Sequence, residues 1–196
     1  MSDSNNSNKP DISQFPKVII PICESDYTDK SKYEQIMGQD YPNIQVIGYV
    51  GNAAKTFNTL IRNHPNSFYC LLQPNDDFTN TQVISYIMQI FALHQAINVI
   101  YCNKIIQFPN HQRKYYYPSS NSKYLQNNIF INTALFVKPG FNFIFNEDLE
   151  HLHIHDCIYK LSGTQLLWHC PHPLVLTQFK DIDYTEDMIK LHESGN

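Results

Sequence analysis

The sequence has no Gly-x-Gly-x-x-Gly run and no Walker loop, and it holds just 6 glycines in 196 residues. Those absences lower the odds of dinucleotide and nucleoside-triphosphate enzymes, which cradle phosphates on such loops. It has no Cys-x-x-Cys pair either. The five cysteines are an odd number, Cys23, Cys70, Cys102, Cys157 and Cys170. Four of them sit in apolar surroundings, which fits reduced thiols better than a disulfide framework. Charge is scarce: 16% of residues are Asp, Glu, Lys or Arg, and the formal net charge is −4. That argues against a basic nucleic-acid binder. No stretch reaches the roughly 18 uninterrupted apolar residues of a membrane helix; Val83 to Ile100 comes nearest and is broken by Ser85, Gln89, His94, Gln95 and Asn98. Residues 1–14 lack the cationic start and apolar core of a signal peptide. They read as a disordered leader, and the chain as cytoplasmic.

What is present is ample for a core. Apolar residues make up 42% and aromatic residues 13%, in a length suited to one domain. Lys17 to Cys23 is a β-branched run apolar on both faces, as in a buried parallel strand. A helix is expected over Ser31 to Gly38, a strand over Ile44 to Val50, a helix over Asn52 to Asn63 and a strand over Phe68 to Leu72. A helix over Thr81 to Gln95 follows, capped by Thr79 or Asn80, with Ile84, Ile87, Met88 and Phe91 as its apolar stripe. Val99 to Gln107 reads as a strand with Arg113 to Tyr117 as its hairpin partner. Beyond it, strands are expected over Asn128 to Lys138, Gln165 to Trp168 and Leu174 to Phe179, and helices over Asp156 to Leu161 and Asp183 to His192. The alternation in the first half predicts an α/β fold, a doubly wound and mostly parallel sheet flanked by helices in a single domain over residues 15–196.

In such a sheet, ligands bind at the carboxyl ends of the strands. Three segments qualify: Pro21 to Ser25, Val50 to Ala53, and Gln73 to Asp77. Asp76 and Asp77 have the hard oxygen ligands that Mg²⁺ or Mn²⁺ takes; a solvated Asn-Asp-Asp turn beside a helix cap fits the same residues. His151, His153 and His155 alternate, which on a strand sets three imidazoles on one face. With Asp156, His169, Cys170 or His172 they would make a transition-metal site, but the spacing matches no defined zinc motif and suits surface histidines. Tyr115, Tyr116 and Tyr117 beside Arg113 and Lys114 suit a stacking platform or an amphipathic hairpin.

Several blocks resemble the family-2 glycosyltransferases of the GT-A fold. Val18-Ile19-Ile20-Pro21-Ile22-Cys23-Glu24 is similar to that family's first strand. Ile36 to Ile47 (IMGQDYPNIQVI) is similar to its ILxQxYPNIEVI block. Phe57 to Ile61 resembles the ARNxGI helix, Phe68 to Phe78 (FYCLLQPNDDF) the YILFLDSDD strand, Phe145 to Leu149 the FDExL segment, and His155 to Leu161 the EDxxLxxRL helix. Together they cover about residues 16–179. The sequence departs from the pattern at three places. Val50-Gly51-Asn52 stands where the family has an acidic pair, Pro74 where the first Asp of its metal motif falls, and His155 where a Glu falls.

The resemblance implies transfer of a sugar from a nucleotide sugar, a UDP-sugar favoured, to a hydroxyl of a glycan or protein acceptor, with inversion. It implies Mn²⁺ or Mg²⁺ at Asp76 and Asp77, and Asp156 as general base with His155 and Glu147 in reserve. It also implies that Pro21, Glu24, Asn58, Asn75 and Asp76 meet the nucleotide sugar. A helix cap is the structural alternative for Asp156. A catalytically degenerate binding or assembly module is the alternative for the whole chain, and a His-rich metal-dependent hydrolase ranks behind both. The abundance of Asn, Ile, Lys and Tyr suggests an AT-rich genome, such as that of a large DNA virus or a protist.

Overall fold

The computed structural model describes residues 14–24, 30–117, 133–180 and 184–194. The leader expected over residues 1–14, apart from Gln14, and the start of the strand expected from Asn128 lie outside them. Within them, the chain forms eight strands and five helices. The strands are β1 (Val18–Cys23), β2 (Ile44–Tyr49), β3 (Phe68–Leu71), β4 (Asp76–Phe78), β5 (Val99–Gln107), β6 (Arg113–Tyr116), β7 (Leu135–Val137) and β8 (Leu167–Gln178). The helices are α1 (Lys30–Met37), α2 (Ala53–Asn63), α3 (Val83–Leu93), α4 (His153–Leu161) and α5 (Thr185–Ser194). Among the described residues, no helix is long and apolar enough to cross a membrane.

The strands form one sheet in the order β2-β1-β3-β7-β5-β8-β4, with β6 paired to β5. β1 pairs in parallel with β2 and with β3, as the alternating pattern requires. The expectation of a mostly parallel sheet is corrected beyond β3. β7 enters between β3 and β5 and runs antiparallel to both. β4 runs antiparallel to β8, whereas β5 and β8 are parallel. The sheet is therefore mixed. β6 is the antiparallel hairpin partner of β5, with Gln107 opposite Arg113. The two strands expected over Gln165 to Trp168 and Leu174 to Phe179 are one strand, β8. Its register against β5 shifts beside Asn103, a bulge that carries it past Pro171 and Pro173. A bulge is where a strand tolerates proline.

Alternation along β1 divides the core into two layers. Val18, Ile20 and Ile22 face α1 and α3, where Ile36, Ile84, Ile87 and Phe91 close the first layer. Ile19 faces the other side, where Phe57 and Leu60 of α2 pack with Ile154, Cys157 and Ile158 of α4. The α3 stripe read from spacing is buried at Ile84, Ile87 and Phe91, with Met88 at its margin. The α3 cap differs from expectation. The Asn80 side chain accepts from the N–H of Gln82 at 2.8 Å, and the N–H of Ile84 donates to the distant Gln39 side chain at 3.3 Å.

Candidate functional site

The carboxyl ends of β1, β2 and β3 open into a cleft of about 550 Å³, a size typical of small-molecule sites. Its walls include Cys23, then Gly51, Asn52 and Ala53, then Gln73 and Pro74. All three segments singled out from the strand order thus contribute. Gly51 turns the chain out of β2 at φ 81°, a left-handed conformation suited to glycine. Asn52 then caps α2 by accepting from Lys55 N–H at 2.8 Å and reaches across to donate to the Glu147 carbonyl at 2.8 Å.

The opposite wall comes from the segment leading into α4 and from α5: Asp148, Glu150, His151, His153 and Lys190 line it. Asp187, on α5, holds this wall in place. Its carboxylate accepts the N–H groups of Glu150, His151 and Leu152 at 3.0, 2.6 and 2.8 Å. Burial pushes the Asp187 carboxyl up, but these three donors and the nearby His151 outweigh it and leave it below the ordinary range. Lys190 donates to the Asp148 carbonyl at 2.9 Å. Sequence reasoning passed over Asp187 and Lys190; an acidic residue in the first turn of a terminal helix carries no signal of a partner so far along the chain.

His153 forms the floor. It is 2% exposed, and neither ring nitrogen makes a well-formed hydrogen bond among the described residues, although the Glu150 backbone lies close enough to favour the charged ring. Phe57 and Phe145 meet its ring edge-on at 5.4 and 6.3 Å between centroids. Burial lowers its pKa to about 4, against the opposing pull of Asp187, so the ring is neutral near pH 7. The histidine run does not form the three-imidazole strand face. His153 and His155 lie on α4, where a two-residue step turns the side chains far apart. His155 is buried away from the cleft lining, and His169 is paired with Asn103 at 2.7 Å. Among the described residues, no three His, Cys, Asp or Glu side chains converge to hold a metal.

The residues expected to meet a nucleotide sugar are dispersed. Pro21 is buried within β1 opposite Ile47, and Glu24 is exposed just past the strand end. Asn58 is buried and makes three bonds to the 145–147 segment: it donates to the Phe145 carbonyl and the Glu147 carboxylate at 2.9 Å each, and accepts from Phe145 N–H at 2.8 Å. It shapes the cleft from behind. The Asn75 carbonyl accepts from Gln178 N–H at 3.0 Å.

Asp76 is fully buried on β4. One carboxylate oxygen accepts from the Thr177 hydroxyl at 2.6 Å, and the other accepts from Gln73 N–H at 3.3 Å. Burial raises its pKa, opposed by Lys104, Thr177, Gln73 and Lys32. Asp77 is half-buried, and strand alternation sends its side chain to the other face of β4. A divalent ion needs open oxygens that converge, so this pair does not fit one between them. Helix α1 fastens the same segment. Lys32 donates to the Pro74 carbonyl at 2.9 Å, and Gln35 both donates to and accepts from the Phe78 backbone at 3.1 Å. Asp156 is 2% exposed within α4, and its carboxylate accepts from Lys160 at 2.8 Å. Neither Asp76 nor Asp156 lines the cleft. No protein-family model matches the chain, and no curated protein matches it.

Proposed function

We propose that this chain is a GT-A-like domain that holds a nucleotide sugar, a UDP-sugar favoured, in the cleft at the ends of β1, β2 and β3, and that it acts as a binding module rather than as a transferase. One observation carries the reading: the strand-end segments expected to form a ligand site line a single cleft, while Asp76 and Asp156 are enclosed in hydrogen bonds of their own. A carboxylate so enclosed is poorly placed to bind a cation or to take a proton from an acceptor hydroxyl. The short turn from Gly51 into α2 leaves no acidic loop to grip a base, a departure from the active transferases of that family that leaves the ligand to be held by the rest of the cleft. The experiment is calorimetric titration of the protein with UDP, GDP and their sugars, with and without Mn²⁺. Binding indifferent to Mn²⁺ and without turnover is expected. Absence of binding by any nucleotide at millimolar concentration would overturn it.

The second reading is an active inverting transferase, favoured by the match of Ile36 to Ile47 and of the Phe68 to Phe78 block to the family pattern. It requires Mn²⁺- or Mg²⁺-dependent binding that Asp76→Ala removes, and turnover that Asp156→Ala stops while binding survives. Those two variants separate it from the binding module.

A further inference from the structure

His153 stands out among the described residues because neither ring nitrogen makes a well-formed hydrogen bond; His155 Nδ1 also lacks one. A buried imidazole without a well-formed hydrogen bond on either nitrogen loses its hydration and recovers little of it from the nearby Glu150 backbone and Asp187. It lies at a cleft floor rather than deep in the apolar layers. The neutral ring has one N–H donor and one bare nitrogen acceptor, the complement of a hydroxyl group. The wall beside it includes Asp148 and Glu150, and its one lysine, Lys190, donates to the Asp148 carbonyl, so acidic groups outnumber basic ones there. Carboxylates accept hydrogen bonds from hydroxyls and repel phosphates. Tyr49, 8% exposed, borders the same cleft, and an aromatic edge there suits the apolar face of a sugar ring.

We propose that His153 is the sugar-reading residue of the cleft: its imidazole exchanges hydrogen bonds with the hydroxyls of a neutral sugar ring, and the ligand's phosphates lie away from the Asp148–Glu150 wall. The proposal rests on the cleft being the ligand site of the reading above. In the free protein both nitrogens are buried, and His153 borders the cleft. The ring packs against the edges of Phe57 and Phe145, and the proposal requires it to turn so that a nitrogen meets the ligand.

The test compares the wild-type chain with His153→Phe and His153→Gln by calorimetry and thermal melting, using UDP-glucose, UDP, uridine and methyl glucoside as probes. His153→Phe keeps a ring of similar shape without nitrogens. At least a tenfold loss of UDP-glucose affinity is expected, with a ligand-free melting temperature equal to or above that of the wild type. His153→Gln, which keeps a donor and an acceptor, is expected to recover part of the affinity. Equal UDP-glucose binding by the wild type and His153→Phe would overturn the proposal and leave the nucleotide-sugar reading standing. A ligand-free melting temperature several degrees lower in His153→Phe would also overturn it, by showing that the imidazole serves the fold. Methyl glucoside binding that depends on His153, without any nucleotide binding, would support the proposal and overturn the nucleotide part of the functional reading. If the wild type binds none of the four probes, both fall.

Discussion

The Asp187 carboxylate accepts the N–H of Leu152 at 2.8 Å across a sequence separation of 35 residues. Leu152 immediately precedes α4, whose first N–H groups have no partner inside the helix. An acidic side chain there also complements the positive end of the helix dipole. The unusual point is the source: the acceptor comes from α5, so one carboxylate ties the segment that enters α4 to a second helix and fixes the cleft wall between them.

Asp187→Ala should therefore destabilise the protein by about 2–4 kcal/mol, since it strands three backbone donors that now share a charged acceptor. Urea denaturation monitored by far-ultraviolet circular dichroism reads this directly. Asp187→Asn keeps an acceptor and should lose less. Both variants should weaken any ligand of the cleft, because Glu150 and His151 lose their anchor.

Acid should destabilise the protein through two groups at this wall. His153 is held neutral to about pH 4, whereas an unfolded histidine titrates near 6.5. The unfolded state binds the proton first, so stability falls as pH drops from roughly 6.5 toward 4, by at most on the order of 3 kcal/mol. Asp187, whose carboxyl lies below the ordinary value, adds stability that is present above the unfolded carboxylate pKa and lost as pH falls through its folded value. Asp76 is shifted upward, takes up its proton earlier in the native state and opposes the loss. Denaturation midpoints between pH 4 and 7 should slope downward toward acid, and His153→Phe should flatten that limb.

Asp76→Ala should destabilise more than Asp76→Asn. Both remove the charge that helps to keep the buried Lys104 ammonium protonated, but asparagine keeps an acceptor for the Thr177 hydroxyl, and leaving that donor unpaired costs about 1–3 kcal/mol more. Mn²⁺ at millimolar concentration should leave the wild-type melting temperature unchanged. A rise that Asp76→Asn abolishes would place a cation at β4 after all.

Legibility in the sequence followed the range of the interactions. β1, β2, α2, β3, α3 and the β5–β6 hairpin each carry a local period or a turn signal, and the parallel order of the first three strands placed the cleft at the right ends. β4 and β7 are three residues each, too short for a period, and are defined by partners far along the chain. β4 owes its form to Gln35 and Thr177, which an Asn-Asp-Asp run does not reveal. Asp76 looked available because acidic residues in a loop are solvated; burial against β8 reversed that. The histidines misled for a related reason. Their alternation suits a strand, but a helix begins at His153, in a chain segment that the distant Asp187 carboxylate holds from outside.

Cys23 gives an independent handle on the cleft. It is half-buried and lines the cavity, while Cys70, Cys102, Cys157 and Cys170 are buried. Burial pushes each of those four thiols up, and the thiolate is the form that attacks a thiol reagent. Native protein treated with a maleimide should therefore label quickly at Cys23 and slowly elsewhere, as intact mass and peptide mapping would show. A ligand seated in the cleft should slow the Cys23 reaction in proportion to occupancy, and Cys23→Ser should abolish the fast phase. Protection by UDP-glucose that persists with His153→Phe at saturating ligand would show the cleft occupied without the imidazole. Fast labelling indifferent to every probe would put the ligand elsewhere on the molecule.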